Sequence, residues 1–157
     1  MKDVVIVSAC RTAIGEFGGS LRDANPGELA AVTMKESINR AGITPDMIED
    51  VRYGCCFAPV DAFNIPRIAA MMAGIPDSIS AVQINRACIS GMDAAISGMA
   101  LIKAGMAEII LAGGFEHMSA VPYVVPEARW GCRLQDRVFL DLLIRGLHCG
   151  SHLIPHP

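Results

Sequence analysis

The sequence predicts an α/β protein, because short apolar segments of strand composition alternate along the chain with longer segments of helical periodicity. Two segments, 81–84 and 108–112, have the composition of buried strands. Between them a helix is predicted, since apolar side chains recur there at spacings of three and four: Ile89, Met92, Ile96 and Met99. A strand, a helix and another strand in this order are typical of a layered fold with helices packed on a sheet.

The elements before this unit follow the same alternation. We predict strands over residues 4–8 and 51–55 and helices over residues 26–41 and 64–73, which with the two later segments gives four strands. The helix over 26–41 has Pro26 near its start, Gly42 as its stop, and an apolar stripe formed by Ala30, Met34 and Ile38. The helix after the strand 81–84 is expected to run to Gly105.

Cys88 is the candidate nucleophile, because it follows a predicted strand and opens a predicted helix. We expect it on the first turn of that helix, where free backbone N–H groups and the positive end of the helix dipole favour a thiolate. The same N–H groups could also hold an oxyanion. A buried, inert cysteine that packs as a small apolar residue is the alternative that position alone leaves open.

Four motifs, in order along residues 4–146, resemble those of the thiolases. The segment around Cys88 matches the nucleophile motif Asn-x-x-Cys-x-Ser-Gly followed by small residues, through Asn85, Cys88, Ser90, Gly91 and Ala94. The pattern Ser-x-x-Arg-Thr-x-x-Gly occurs over 8–15, and the family's segment before the nucleophile strand is matched by Asn64, Ile65, Pro66 and Arg67. Residues 113–119 resemble the thiolase turn Gly-Gly-x-Glu-x-Met-Ser.

The resemblance implies acyl transfer by covalent catalysis, with Cys88 forming a thioester to an acyl group. Within the family the chain is most similar to the acetyl-CoA C-acetyltransferases, so acetyl-CoA or a 3-ketoacyl-CoA is the expected substrate. No metal or redox cofactor is implied, and a homodimer or homotetramer is expected for the full-length protein.

The resemblance also implies a domain division. Residues 1–114 correspond to the N-terminal thiolase α/β domain, a layered half with a mixed sheet that here lacks its last strand. Residues 115–157 correspond to the start of an inserted loop domain that is cut short. An apolar sheet edge and an apolar helix face would then be uncovered, and we expect poor solubility.

Two further thiolase motifs are absent from these 157 residues: Gly-His-Pro, which supplies the activating histidine, and Cys-x-Gly-Gly-Gly, which supplies a second cysteine. Neither His156-Pro157 nor Cys149-Gly150 fits them. A structural role is favoured for His117 and His148, and His152 is left unassigned. Glu116 has no partner carboxylate at a useful spacing.

Composition excludes several classes of partner. The net charge of −3 and the scattered Lys and Arg residues give no basic stripe for nucleic acid. No apolar run approaches the roughly 18 residues that a membrane helix needs, and no signal-peptide core follows Met1, so a cytoplasmic protein is expected. The six cysteines show no C-x-x-C spacing and are expected to be free thiols, with packing favoured over redox chemistry for Cys55 and Cys56.

Two alternatives stay open at this point. A β-ketoacyl synthase shares the fold and a nucleophile on a helix, although the pattern Asn-x-x-Cys-x-Ser-Gly argues against it. A catalytically inactive thiolase fragment, or one subunit of a split enzyme, is the other, because a chain without its activating histidine and second cysteine would show no turnover.

Overall fold

The computed structural model describes residues 3–60 and 62–148, and its centre is a parallel sheet of three strands. Strand β1 (Asp50–Gly54) lies between β2 (Ser80–Ile84) and β3 (Ile110–Gly114), in the order β2-β1-β3. Gly54 at the end of β1 is paired with Ile84 on one side and with Gly114 on the other. The three carboxyl ends therefore meet at one edge of the sheet.

Helices cover both faces of this sheet. They are α1 (Pro26–Ala41), α2 (Ile65–Met72) and α3 (Ser90–Lys103), whereas the short α4 (Leu142–Leu147) lies later in the chain. Helices α1 and α2 contact each other on the face that bears Val51 and Tyr53, and with them bury Met34 and Ile48. Helix α3 packs on the opposite face, where the Arg52 guanidinium Nε donates to Ser97 Oγ at 2.9 Å. The predicted α/β class is confirmed. The described strands β1, β2 and β3 are all parallel, because a helix connects each of them to the next, whereas the sequence predicts a mixed sheet.

Helix α1 has the bounds that the sequence predicts. The Asn25 side chain accepts hydrogen bonds from the backbone N–H groups of Gly27 and Glu28, which would otherwise lack partners, and Pro26 occupies the first turn. Gly42 ends the helix with a φ of 68°, a left-handed conformation that glycine adopts at little cost.

The predicted strand over residues 4–8 is wrong. This segment forms no ladder with any described residue, and Val5, Ile6 and Val7 are 74%, 88% and 70% exposed. It is tied instead to α1, because Ser8 Oγ donates to the Ser37 carbonyl oxygen at 2.7 Å. A cavity of about 640 Å³ lies between this segment, α3 and β3. A strand needs an edge to pair with, and here a gap separates the segment from β3.

The remaining predicted elements are present with shifted bounds. Strand β1 begins and ends one residue earlier than predicted, and α2 begins at Ile65 because the Asn64 side chain caps it by accepting from the Arg67 N–H. Gly113 and Gly114 belong to β3, whereas the sequence places them in a turn after it. Their pairing with Tyr53 and Gly54 explains the difference.

Beyond Gly114 the chain forms smaller elements. Strands β4 (Tyr123–Val124) and β5 (Leu140–Asp141) pair antiparallel as a separate ribbon. Short 3₁₀ turns occur at Pro45–Met47, Met118–Ala120 and Pro126–Trp130. None of the helices seen in 3–60 and 62–148 combines the length and the apolar character that a membrane crossing requires.

The start of α3 touches the end of β1 at Gly54. A Cβ atom added to Gly54 would lie 2.4 Å from the Gly91 backbone nitrogen and 2.4 Å from the Ser90 carbonyl carbon. Both contacts are with backbone, so neither can be relieved by turning a side chain. A Cβ atom on Gly91, in contrast, would meet its nearest neighbour only at 3.8 Å.

Replacement of Gly54 by alanine is therefore expected to lower the free energy of unfolding by roughly 2–3 kcal/mol, since the helix would have to move away from the sheet. Gly91→Ala is the matched control, with an expected change of about 1 kcal/mol or less because its added methyl group has room. Urea unfolding followed by far-ultraviolet circular dichroism measures both. Equal stability of the two variants would contradict the close contact.

The outer face of α3 is apolar and uncovered by the described residues. Ile89, Met92 and Ile96 are 51%, 65% and 50% exposed. We expect Met92→Lys with Ile96→Lys to increase the soluble fraction of the purified chain, because a contiguous apolar surface drives association. Val32→Lys on α1, at a site 58% exposed, is the control for added charge. An equal gain from Val32→Lys would mean that the α3 face is not responsible.

Candidate active site

Cys88 lies in the turn between β2 and α3, above the edge where the three carboxyl ends meet. Helix α3 begins at Ser90 with Ile89 as its N-cap residue, so Cys88 precedes the helix by two residues. The prediction that it occupies the first helical turn is wrong. The difference arises because Ala87 adopts a left-handed conformation, which delays the start of the helix. Cys88 is an exposed free thiol.

The turn itself is strained and is held by several hydrogen bonds. Ala87 has a φ of 50°, a conformation that costs a residue with a Cβ atom about 1 kcal/mol. The Ser90 hydroxyl accepts from the Arg86 N–H at 2.8 Å and donates to the Ala87 carbonyl oxygen at 2.6 Å. The Asn85 side-chain oxygen accepts from the Ala87 N–H at 3.1 Å. These bonds fix the backbone just before Cys88.

The backbone N–H groups at the helix start are partly used by the same turn. The Ile89 N–H donates to the Arg86 carbonyl oxygen at 3.3 Å, and the Ser90 N–H donates to the Ala87 carbonyl oxygen at 3.1 Å. Fewer amides are therefore free to hold an oxyanion than the sequence suggests for a cysteine in the first turn. The ion pair between Arg86 and Asp93, at 3.2 Å, closes the outer side of the turn.

Glu116 holds the neighbouring turn after β1. Its carboxylate accepts from the backbone N–H groups of Cys56, at 2.8 Å, and Phe57, at 3.1 Å. Cys56 also contacts the turn that carries Cys88, since its carbonyl oxygen accepts from Asn85 Nδ2 at 3.0 Å and its thiol donates to the Ala87 carbonyl oxygen at 2.9 Å. The ends of β1, β2 and β3 are thus joined beneath Cys88.

The sequence does not predict that Glu116 binds these N–H groups, because a carboxylate is assessed there only by the spacing of a second carboxylate. The partners are backbone N–H groups about 60 residues earlier in the chain, as the separations of 60 and 59 positions show. The available signal was topological: residues that follow neighbouring parallel strands lie at the same edge of the sheet. Glu116 follows β3 by two residues, and Cys56 follows β1 by two.

The thiols of Cys55 and Cys56, which follow β1, are held in the protonated form. Burial raises the pKa of Cys55 to about 12, with the negative charge of Glu116 adding to the effect. Burial also raises the pKa of Cys56, with a smaller contribution from Glu116 and an opposing hydrogen bond from Ser90. Cysteines 10, 55, 56, 88 and 132 are free thiols, as predicted, and Cys149 lies outside the described residues.

His117 has a structural role, as the sequence favours. It is buried, with Nε2 donating to the Leu21 carbonyl oxygen at 2.9 Å and Nδ1 accepting from the Ala120 N–H at 3.1 Å. Both ring nitrogens are engaged, which leaves neither to accept a proton from Cys88. His148, which follows α4, contacts the Ile144 carbonyl oxygen of that helix through Nδ1 at 2.6 Å. His152 and His156 lie outside the described residues.

The described residues contain no group of three or more His, Cys, Asp or Glu side chains arranged to hold a metal ion. What the site offers is one exposed thiol on a fixed turn at the carboxyl edge of a parallel sheet. Such a thiol can act as a nucleophile toward an acyl donor that approaches from solvent.

Comparison with known proteins connects this arrangement to one family. Residues 4–154 match the model of the thiolase N-terminal domain. The chain is 44% identical over 133 residues to an acetyl-CoA acetyltransferase from Syntrophomonas wolfei, an alignment that covers 85% of this chain and 34% of the relative. It is 39% identical over 155 residues to the beta-ketothiolase BktB of Cupriavidus necator, which covers 98% of this chain and 39% of that protein.

A solved structure agrees with these sequence matches. The crystal structure of the Bacillus anthracis acetyl-CoA acetyltransferase superposes with a TM-score of 0.90 at 39% sequence identity, over 94% of this chain and 38% of that one. The chain thus spans 34% to 39% of the length of these curated relatives. The alternative of a β-ketoacyl synthase is not favoured. The residues around Cys88, the parallel sheet and the matched region agree, and the chain belongs to the thiolase family, in the part that forms the N-terminal domain.

Proposed function

We propose that the protein is an acetyl-CoA C-acetyltransferase or related thiolase in which Cys88 carries the acyl group as a thioester. The observation that carries this proposal is the placement of Cys88, an exposed thiol on a strained and fixed turn at the carboxyl edge of the sheet. The adjacent Cys55 and Cys56 are poor competitors, because their raised pKa values keep them as thiols.

The reaction divides into two steps. In the first, the Cys88 thiolate attacks the carbonyl carbon of acetyl-CoA, the bond from that carbon to the CoA sulfur breaks, and CoA leaves as a thiol after taking up a proton. In the second, a carbanion formed by loss of a proton from another acetyl-CoA attacks the thioester, which gives acetoacetyl-CoA and frees Cys88. The reverse direction is thiolysis. Coenzyme A thioesters are the substrates, and no step uses a metal or redox cofactor.

The proposed domain division follows from the same family. We infer that residues 1–114 form the N-terminal α/β domain without its last strand and that residues 115–157 begin the inserted loop domain. The cavity of about 640 Å³ beside β3 supports this division, because its walls include the free edge of β3 and the unpaired segment 4–12. One further strand would supply the hydrogen bonds that both edges lack.

The partners and compartment are proposed on similar grounds. We infer a homodimer or homotetramer for the full-length protein, for which the exposed apolar side chains on α3 provide contact surface. Neither nucleic acid nor a membrane is a proposed partner. A cytoplasmic location agrees with the five described free thiols, since free thiols persist in a reducing compartment.

A second function has one observation in its favour. His117 is sequestered by two hydrogen bonds, and no described histidine is hydrogen-bonded to Cys88. This chain by itself could therefore be an inactive thiolase fragment or one subunit of a split enzyme. The two candidates differ in whether Cys88 takes up an acyl group in the absence of a histidine.

Incubation of the chain with acetyl-CoA is expected to add one acetyl group, located on Cys88, because the turn presents an accessible thiol without help from other segments. Intact-mass measurement followed by peptide mapping detects the product. Cys88→Ala should abolish the label, and Cys132→Ala, which removes another exposed thiol, should leave it unchanged. Absence of label in a folded sample would favour the inactive fragment.

Thiol reactivity should differ sharply between Cys88 and Cys55. We expect iodoacetamide to modify Cys88 and Cys132 near neutral pH while Cys55 stays protected, since its burial raises its pKa to about 12. An unfolded cysteine ionises near 8.5, so the protection of Cys55 should persist as the pH rises past this value and disappear when urea unfolds the chain. Peptide mapping across pH checks this. Early modification of Cys55 in the folded chain would contradict the described burial.

A further inference from the structure

Ser90 differs from the residues that surround Cys88. Residues 85–89 are exposed, whereas Ser90 is only 4% exposed and its side chain points back beneath the turn. It is the first residue of α3, and its backbone is the group that contacts Gly54 at the end of β1. Its position is therefore fixed by the packing of the helix on the sheet.

The Ser90 hydroxyl bonds to both sides of the strained residue. It accepts from the Arg86 N–H at 2.8 Å and donates to the Ala87 carbonyl oxygen at 2.6 Å. These two groups bracket Ala87, whose φ of 50° is unfavourable for alanine. Two further donors reach the same carbonyl oxygen: the Ser90 backbone N–H at 3.1 Å and the thiol of Cys56 at 2.9 Å, whose sulfur lies 3.7 Å from Ser90 Oγ.

Without the hydroxyl, the Arg86 N–H loses its acceptor and one of the bonds to the Ala87 carbonyl oxygen is gone. Alanine at position 87 would then relax toward a negative φ, which rotates the peptide group that leads into Cys88. The thiol would remain exposed but would point in a different direction.

We propose that Ser90 is a positioning residue for acyl transfer, because its buried hydroxyl maintains the left-handed turn at Ala87 that aims the Cys88 thiol. This inference rests on the proposed function, in which Cys88 is the acyl acceptor. Attack on a bound thioester requires alignment of sulfur and carbonyl carbon, and small misplacements reduce its rate strongly. Alkylation by a small reagent from solvent requires only exposure.

The test compares two reactions of the same thiol in Ser90→Ala. We expect acetylation of Cys88 by acetyl-CoA to slow by roughly tenfold or more, while its alkylation by iodoacetamide, measured relative to Cys132, changes by less than about threefold. Ser97→Ala is the matched control: Ser97 is in the same helix, and its hydroxyl also donates to the carbonyl oxygen three residues earlier, that of Ala94, at 3.0 Å. Unchanged acetylation in Ser90→Ala, or an equal loss in Ser97→Ala, would overturn the proposal.

Two further variants separate positioning from simple loss of structure. Protection of Cys55 from iodoacetamide reports that each variant is folded. Adding Ala87→Gly to Ser90→Ala should recover part of the acetylation rate, since glycine adopts a positive φ without support. If Ser90→Ala unfolds, Ser90→Thr replaces it, because threonine keeps the hydroxyl and should retain acetylation within about threefold. Failure of the retained hydroxyl to support acetylation in a folded variant would overturn the proposal.

The proposed function and this inference can fail separately. If the unaltered chain takes no acetyl group from acetyl-CoA, the proposed activity of the isolated chain is wrong. The role of Ser90 is then tested by the rate of hydrogen exchange at the Arg86 amide. Exchange of the Arg86 amide, followed by nuclear magnetic resonance, should then accelerate by roughly tenfold in Ser90→Ala while that of Tyr53 in the central strand is unchanged. Equal exchange of Arg86 in both proteins would show that the hydroxyl does not hold the turn.

Discussion

The close approach of α3 to β1 is the contact on which the rest of the site depends. Gly54 leaves no room for a side chain between the strand and the backbone of Ser90 and Gly91, so the helix start lies directly on the sheet edge. Gly114 on β3 takes part in the same close contact, since a Cβ atom there would lie 3.2 Å from the Gly91 Cα. Larger residues at these positions would lift the helix and, with it, the turn that carries Cys88.

A second consequence of this contact is the burial of Ser90. A hydroxyl at the first residue of a helix would ordinarily be hydrated, but here it is enclosed and its hydrogen bonds go to the preceding turn. Removal of a buried partner costs more than the bond contributes, because the remaining group loses both water and protein. The turn is thereby stabilised in a conformation that its own residues disfavour.

The sequence predicts the regular parts of this fold well and the site less completely. Helix α1 begins and ends as predicted because both of its boundaries are local: an asparagine cap, a proline and a stop glycine. The start of α3 has no such signal, since Ile89 provides no side-chain cap and the left-handed conformation of Ala87 is held by hydrogen bonds from Ser90 and from Cys56, which lies after β1. Position in the fold, which a single sequence does not display, decides that boundary.

The segment 4–8 and Glu116 also depend on contacts with distant parts of the chain that the sequence does not display. The apolar composition of 4–8 correctly indicates a strand-forming sequence, but a ladder also needs a neighbouring edge, and the gap beside β3 separates the two. Glu116 carries no local sign of its partners, which become visible only when three parallel strands bring their ends together.

The hydrogen bonds that form the turn before α3 lie within the described residues, whereas the exposed apolar surfaces lie elsewhere on α3 and β3. Ser90, Cys56 and Glu116 connect the three strand ends through contacts that are already complete. The exposed side chains of α3 and the open edge of β3 take no part in them. Formation of the turn that carries Cys88 is thus separable from whatever covers those surfaces. The acyl transfer proposed for Cys88 depends on the first set of contacts, because these contacts hold the backbone of the turn that carries the thiol.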